Sequence, residues 1–169
     1  MAYYAFPGSK NENGEYLILR FLGIDYRLMA IGLAEAGAGI IGLSGTLTKG
    51  SNVEKEVKKL VRNFSPYAFD LNERPKVFLA IEAIKSEHPK VDILVNNAGI
   101  ILRNPVAVHT DEDWDKVLSV NLDAPFILAR EFGKEMLDRK YGKIIFTCSL
   151  LSFQRGINVP GDMPQAKGL

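Results

Sequence analysis

The chain has 169 residues, the size of one domain, and its 47 % hydrophobic and 24 % charged content is that of a folded globular protein and not of a disordered one. Twenty-one lysines and arginines against twenty acidic residues leave a net charge of +1, so there is no polyanion-attracting field and nucleic acid is not expected as a partner. The single cysteine, Cys148, can form no internal disulfide, two histidines argue against a zinc cluster or other metal site, and no apolar run reaches the roughly 20 residues that span a bilayer. Residues 1–10 lack the apolar core of a secretory signal, and the expectation is a cytoplasmic protein.

The first 26 residues show no clear period apart from the apolar run 16–24. Leu28, Ile31, Leu33 and Ala34 can share one helix face, with Gly37 or Gly39 as the stop. Ile40, Ile41, Gly42 and Leu43 then read as a short buried strand. Ser51 and Glu54 have capping-box spacing and open a helix that turns Val53, Val57, Leu60 and Val61 inward. Tyr67, Ala68 and Phe69 are a strand candidate, followed by a helix over 73–87 with Val77, Leu79, Ile81 and Ile84 inside. A strongly apolar strand spans 91–95. Thr110 and Asp113 cap one long helix over 111–140, in which Trp114 and Phe126 are expected in the core or, alternatively, at an interface between subunits, and an apolar strand occupies 143–147. Continuous apolar strands separated by helices of ten or more residues predict an α/β fold, a doubly wound parallel sheet buried on both faces, whose ligand site lies beyond the carboxyl ends of the strands.

Four places answer to that description. Leu43 is followed by Ser44-Gly45-Thr46, Phe69 by Asp70-Leu71, Val95 by Asn96-Asn97-Ala98-Gly99, and Thr147 by Cys148-Ser149. Small and amide residues after Val95 let a ligand approach the backbone, and Gly99 offers conformations other residues resist. Each also has a plainer reading: Asn-Asn-Ala-Gly as a turn, Asp70 as a turn or cap residue, Ser149 as an ordinary serine, Cys148 as packing at a buried strand end.

Taken together, Asp92-Ile93-Leu94-Val95-Asn96-Asn97-Ala98-Gly99, then Trp114, Val120-Asn121-Leu122 and Gly142-Lys143-Ile144-Ile145 leading to Ser149, resemble the short-chain dehydrogenase/reductase family over residues 29–160. The stretch from Ser149 to Gln154, with Gly156-Ile157 and Val159-Pro160, is similar to its sugar-acid branch, whose members act on 2-deoxygluconate, gluconate or 2-dehydro-3-deoxygluconate. The resemblance implies a Rossmann-like dinucleotide-binding domain over 1–169, incomplete at its C-terminal side, with NAD or NADP as cofactor and a small sugar acid as substrate. It implies that Ser149 bonds the substrate oxygen and that Asn121 steadies a water and proton path. Asp70, with Leu71 beside it, would contact the adenine, and Asn97, Ala98 and Gly99 the adenosine ribose. Arg103 and Gln154 would face a sugar carboxylate, although an arginine there is equally read as a solvated surface charge. Members of the family are homo-oligomers; a shortened chain is expected to associate or aggregate through an exposed sheet edge.

The ends depart from the pattern. Asp162 stands where the family has its proton-donating tyrosine and Ala166 where it has the partner lysine. An aspartate ionises far below a phenol and cannot replace it. Arg20, Ile24 and Tyr26 occupy the glycine places of the family's phosphate loop, where bulk blocks approach to the pyrophosphate. Shifting the reading frame of residues 162–168 by two bases permits Tyr-Ala-Ala-Ser-Lys-Gly, the missing pair. A shifted frame is therefore the expected origin of this end, and the chain as written is expected to turn over little or no substrate. No acid or arginine follows Leu43 to choose between NAD and NADP. The alternative is a non-catalytic remnant or binding protein.

Overall fold

The structure is a computed structural model and describes residues 15–19 and 25–148. Five parallel strands form one sheet in the order β3-β2-β1-β4-β5: β1 (Glu15–Leu19), β2 (Gly39–Leu43), β3 (Phe64–Tyr67), β4 (Ile93–Asn96) and β5 (Lys143–Phe146). The helices are α1 (Asp25–Glu35), α2 (Asn52–Lys59), α3 (Arg74–Glu87), α4 (Asp111–Leu118) and α5 (Ala124–Asp138). Among the described residues, no helix is long and apolar enough to cross a membrane.

Side chains alternate across a strand, and the burial follows that period. Ile40, Phe64, Ile93 and Val95 join Ala30 and Ala34 of α1 and Val53 and Val57 of α2 on one face. Ile41, Leu43, Tyr67 and Leu94 join Val77, Ala80, Ile81 and Ile84 of α3 and Ile127, Leu128, Phe132 and Met136 of α5 on the other. The fold is the doubly wound α/β sheet expected from the sequence. β1, which lies between Gly39–Leu43 and Ile93–Asn96 at its centre, was not anticipated as a strand within the apolar run 16–24.

Several local expectations are corrected. The third strand is Phe64–Tyr67 and not 67–69, because Phe64 supplies the inward side chain opposite Ile40. Val61 and Leu79 point outward; Val61 has φ of 58°, in the left-handed turn that ends α2, and Ala80 takes the inward place beside Leu79. The buried face of α1 runs through Ala30 and Ala34, leaving Leu28 exposed. β5 is exposed along its length, not buried on both faces, and Cys148 just beyond it is exposed too. Phe126 is 60 % exposed, with the Arg130 guanidinium 5.6 Å from its ring centre, and Trp114 is also on the surface.

The long helix is interrupted. Thr110 caps α4 by accepting the Asp113 N–H at 3.1 Å. A π turn, Ser119–Asp123, then joins α4 to α5. Pro125 has no N–H to give the Asn121 carbonyl, so the ordinary helical ladder breaks at this point and a wider turn takes its place. The C-terminus of α5 is anchored by Arg139, which donates to the Val91 carbonyl and lies 3.5 Å from the buried Asp92 carboxylate. Lys85 of α3 ties α3 to α5, pairing with Glu135 at 2.7 Å and donating to the Glu131 carbonyl at 3.0 Å.

At the start of α2, Ser51 Oγ accepts the Glu54 N–H at 3.4 Å, whereas the Glu54 carboxylate reaches the Gly50 N–H at 2.7 Å and not that of Ser51. Lys58 donates to the same carboxylate at 2.6 Å. The Lys58 hydrogen bond first, and then the Gly50 N–H, hold the Glu54 carboxyl below its ordinary value of 4.5 against the opposing effect of burial. A lowered folded pKa contributes stability that is complete above the ordinary value and lost as the pH falls through the folded one. Urea midpoints of the wild type are therefore expected to drop on acidification below about pH 4.5, with Glu54→Gln removing part of that drop. In the same assay Leu94→Ala, at a wholly buried site, is expected to cost about 2–5 kcal/mol. Leu79→Ala, at a 54 % exposed site, should stay within about 0.5 kcal/mol.

Candidate functional site at the carboxyl ends of the strands

In this strand order the chain steps outward from β1 through β2 to β3 and then crosses back to place β4 on the other side of β1. The crevice beyond the carboxyl ends at that switch point is where open α/β sheets bind ligands. A hollow of about 340 Å³ lies in this region, lined by Gly45 and Thr46 after β2, Asp70, Leu71 and Asn72 after β3, Ile100 after β4, and Lys116 and Val120 from α4 and the π turn. Its volume is at the lower end of the small-molecule range. A larger hollow of about 790 Å³ sits elsewhere, between α5 and the start of β5, where Met136, Leu137, Tyr141 and Ile144 line it. It is remote from the strand carboxyl ends.

Each wall of the smaller hollow has a local cause. The Asp70 carboxylate accepts the Asn72 N–H at 3.0 Å, an Asx turn that sends the chain from β3 into α3 and leaves Asp70 on the rim. Leu71, 3 % exposed, packs inward as the floor. Ser44 is fully buried, and its Oγ accepts the Thr46 N–H at 3.2 Å, folding the tip of β2 back on itself. After β4 the Asn97 N–H turns back to the Val95 carbonyl at 3.2 Å.

Asn121 locks the fourth wall. From the π turn its Oδ1 accepts the Ile100 N–H at 2.8 Å and its Nδ2 donates to the Ile100 carbonyl at 2.9 Å. Both halves of one buried carboxamide thus grip both backbone groups of one loop residue. That fixes α4 against the end of β4 and sets Val120 and Ile100 side by side in the hollow.

Of the residues singled out from the sequence, Asp70 and Leu71 line the hollow, and Asn121 holds one of its walls. Asn97, Ala98 and Gly99 form the adjoining turn. Ala98 is 1 % exposed and belongs to the core, and Gly99 is not among the described residues with a left-handed φ. Arg103 is exposed and lines neither hollow. Ser149, Gln154 and Asp162 lie outside the described residues, as do Arg20 and Ile24, while Tyr26 falls in the first turn of α1. The sequence reading missed Ile100, Lys116 and Val120. Lys116 and Val120 are four residues apart on a helix, the spacing that places two side chains on one face, and that was the available signal. Asn96 is 3 % exposed, and among the described residues its carboxamide has no hydrogen-bond partner.

The family profile described as short chain dehydrogenase matches residues 23–161. The chain belongs to the short-chain dehydrogenase family. A 2-dehydro-3-deoxy-D-gluconate 5-dehydrogenase from Pseudoalteromonas atlantica is 59 % identical over 134 residues, covering 79 % of this chain and 53 % of its own. The Bacillus subtilis protein of the same name is 44 % identical over 132 residues, 78 % of this chain and 51 % of its own. Among solved structures, a gluconate 5-dehydrogenase from Burkholderia cenocepacia in complex with NADP and tartrate superposes with a TM-score of 0.78 at 32 % identity. That match covers 92 % of this chain and 61 % of the other. The relatives place the chain in the family's sugar-acid branch. It spans about half the length of the curated relatives it matches.

Replacing Asn121 with alanine leaves the Ile100 N–H and carbonyl without their partner. The variant is expected to lose about 1 to 3 kcal/mol in urea unfolding. Amide exchange at Ile100 should accelerate well beyond that at the wholly buried Leu94, and equal acceleration at both would show that the pair does not specifically hold the loop.

Proposed function

We propose that the hollow at the switch point receives the adenosine end of NAD or NADP, in a chain related to dehydrogenases acting on a sugar acid such as 2-dehydro-3-deoxygluconate, gluconate or 2-deoxygluconate. The observation that supports this reading is the composition of the walls. Leu71, Ile100 and Val120 offer an apolar slot for a flat ring, and Asp70, Asn72 and Thr46 offer polar groups at its edge. The names of the two dehydrogenase relatives and the NADP held by the Burkholderia structure agree with it.

Bound NAD(P) supplies a hydride donor or acceptor. The chain's own residues do the rest. Asp70 accepts from the amino edge of the adenine. Asn121, by gripping Ile100, keeps the slot at one width. Ser149 donates to the substrate oxygen, and Arg103 and Gln154 meet the sugar carboxylate, where a guanidinium pairs two oxygens at once. Asp162 occupies the place of the phenol. Being ionised near neutrality, it has no proton to give at the pH where a phenol paired with a lysine does, so hydride transfer by the chain as written stays at background.

Titration with NADH followed by backbone amide shifts tests the reading. Perturbations are expected at Thr46, Leu71, Ile100 and Val120, and Ile100→Trp, which fills the slot, should weaken binding at least tenfold while leaving the circular dichroism unchanged. Shifts confined to other surfaces, or equal affinity in the variant, would overturn the assignment. Catalytic turnover of a sugar acid with a phenol-like pH dependence would overturn the role given to Asp162.

A further inference from the structure

The larger hollow, of about 790 Å³ between α5 and the start of β5, has no part in the site at the strand carboxyl ends. Met136, Leu137, Tyr141 and Ile144 give it an apolar lining, and Leu137 is 78 % exposed. Glycine keeps it open: a Cβ on Gly142 would collide with the Met136 side chain, and one on Gly133 would already meet Ile144 Cδ1 at 3.5 Å. The rim is of one sign. Arg130, Lys134, Lys140 and Lys143 line the hollow, and among the described residues no carboxylate does. Glu131 pairs with Arg130 at 2.7 Å and with Lys134 at 2.8 Å, whereas Lys140 and Lys143 enter no ion pair among the described residues. An apolar recess with a basic rim is complementary to an apolar wedge flanked by acids.

The same chain carries such a wedge. α4 opens with Asp111, Glu112 and Asp113, and Asp115 follows the single tryptophan, Trp114. Asp113 is taken up locally, accepting from Asn104 Nδ2 at 3.0 Å, while Asp111, Glu112 and Asp115 stand exposed around an indole that is itself 37 % exposed. Asp111 lies three residues before Trp114, the spacing that sets two side chains on one helix face. Acids suit a helix N-terminus on their own account, but that preference asks for no aromatic among them. α4 stands at the carboxyl ends of the strands, where its Lys116 lines the smaller hollow, and the groove lies at the amino end of β5. The wedge therefore cannot enter the groove of its own chain. We propose that the chain associates head to tail, with Trp114 and its flanking carboxylates on one copy entering the groove between α5 and β5 of another. Wedge and groove are different surfaces, so the contact is heterologous and each copy keeps one of the two free for a further neighbour.

The lone tryptophan reports on the contact. In sedimentation of the full chain, mass is expected to grow with concentration while Trp114 emission moves to shorter wavelength in step. Association should weaken about tenfold between about 0.05 and 0.5 M salt, because its charges are exposed. Pairing along the open edge of β5 would neither weaken with salt nor move Trp114 emission, and that pattern overturns the proposal. Trp114→Ser removes the wedge, and Lys140→Glu with Lys143→Glu reverses the rim. All three side chains are exposed, so circular dichroism is expected to be unchanged. Each variant alone is expected to be monomeric, and the two mixed are expected to form pairs and nothing larger, since one groove and one wedge survive between them. The only tryptophan in that mixture is the one that docks. Gly133→Leu, which fills the hollow without altering its charge, should be monomeric too. A wild type that stays monomeric at every concentration, self-association of any of these variants, or a mixture that forms no pairs overturns the proposal.

Discussion

A parallel sheet imposes two demands at once: its strands cannot be joined by hairpins, and both of its faces must be dried. Here every described connection between strands includes a helix, and the helices are divided between the faces, α1 and α2 on one and α3 and α5 on the other. β4 shows the consequence most directly. Ile93 and Val95 enter one core, Leu94 enters the other, and all four residues of the strand are buried. Reversing direction between β1 and β4 is what opens a crevice at the carboxyl ends. The crevice is thus a by-product of how the sheet is covered.

What the sheet leaves undetermined is the width of that crevice, and a single polar contact sets it. Burying a carboxamide without partners would cost on the order of 1 to 3 kcal/mol, but Asn121 satisfies its oxygen and its nitrogen on one residue, Ile100. The π turn makes the reach possible. Pro125 withholds a helical donor, the helix widens for one turn, and the residue at the widened turn is brought against the loop after β4. A residue that the sequence suggests as a participant in proton transfer is therefore, in its described contacts, a positioning residue. The two roles are compatible, because the side chain is occupied by Ile100 and the effect on a ligand passes through the wall it holds.

The fold was legible because its signals are periodic. The Thr110 and Ser51 caps and the glycine stop at Gly37, whose φ is 104°, read correctly from local chemistry, and the apolar run 91–95 holds three of the four residues of β4, Ile93–Asn96. The errors have physical causes. β1 sits in a stretch with no flanking helix pattern to bracket it, so its central place in the sheet depends on pairing with β2 and β4, which no local period reports. Leu79, Val61 and Phe126 are apolar residues that the surface tolerates, and periodicity alone could not separate them from their buried neighbours Ala80, Val57 and Leu128. The break in the long helix hung on Pro125, whose missing N–H leaves the carbonyl four residues earlier without its helical donor. For the site, Asp70 and Leu71 were found through their place at a strand end. Ile100, Lys116 and Val120 were not, because they acquire a role only when the crossover brings them to that same end.

The division of the site along the chain has a consequence for what selection can act on separately. Among the described residues the hollow is lined by residues between Gly45 and Val120, and Asn121, one residue further, holds one of its walls. Of the groups proposed to meet a substrate, Arg103 precedes β5, and Ser149, Gln154 and Asp162 follow it in the sequence. In the proposed reading, most of the groups that act on a substrate therefore come later in the chain than the walls of the hollow, and a change confined to that later stretch leaves those walls in place. Loss of Asn121, by contrast, would loosen the wall whatever follows β5. The walls of the hollow share their residues with the core: Leu71 and Val120 line it and also belong to the cluster packed against α3 and α5, and cannot be lost without cost to the fold.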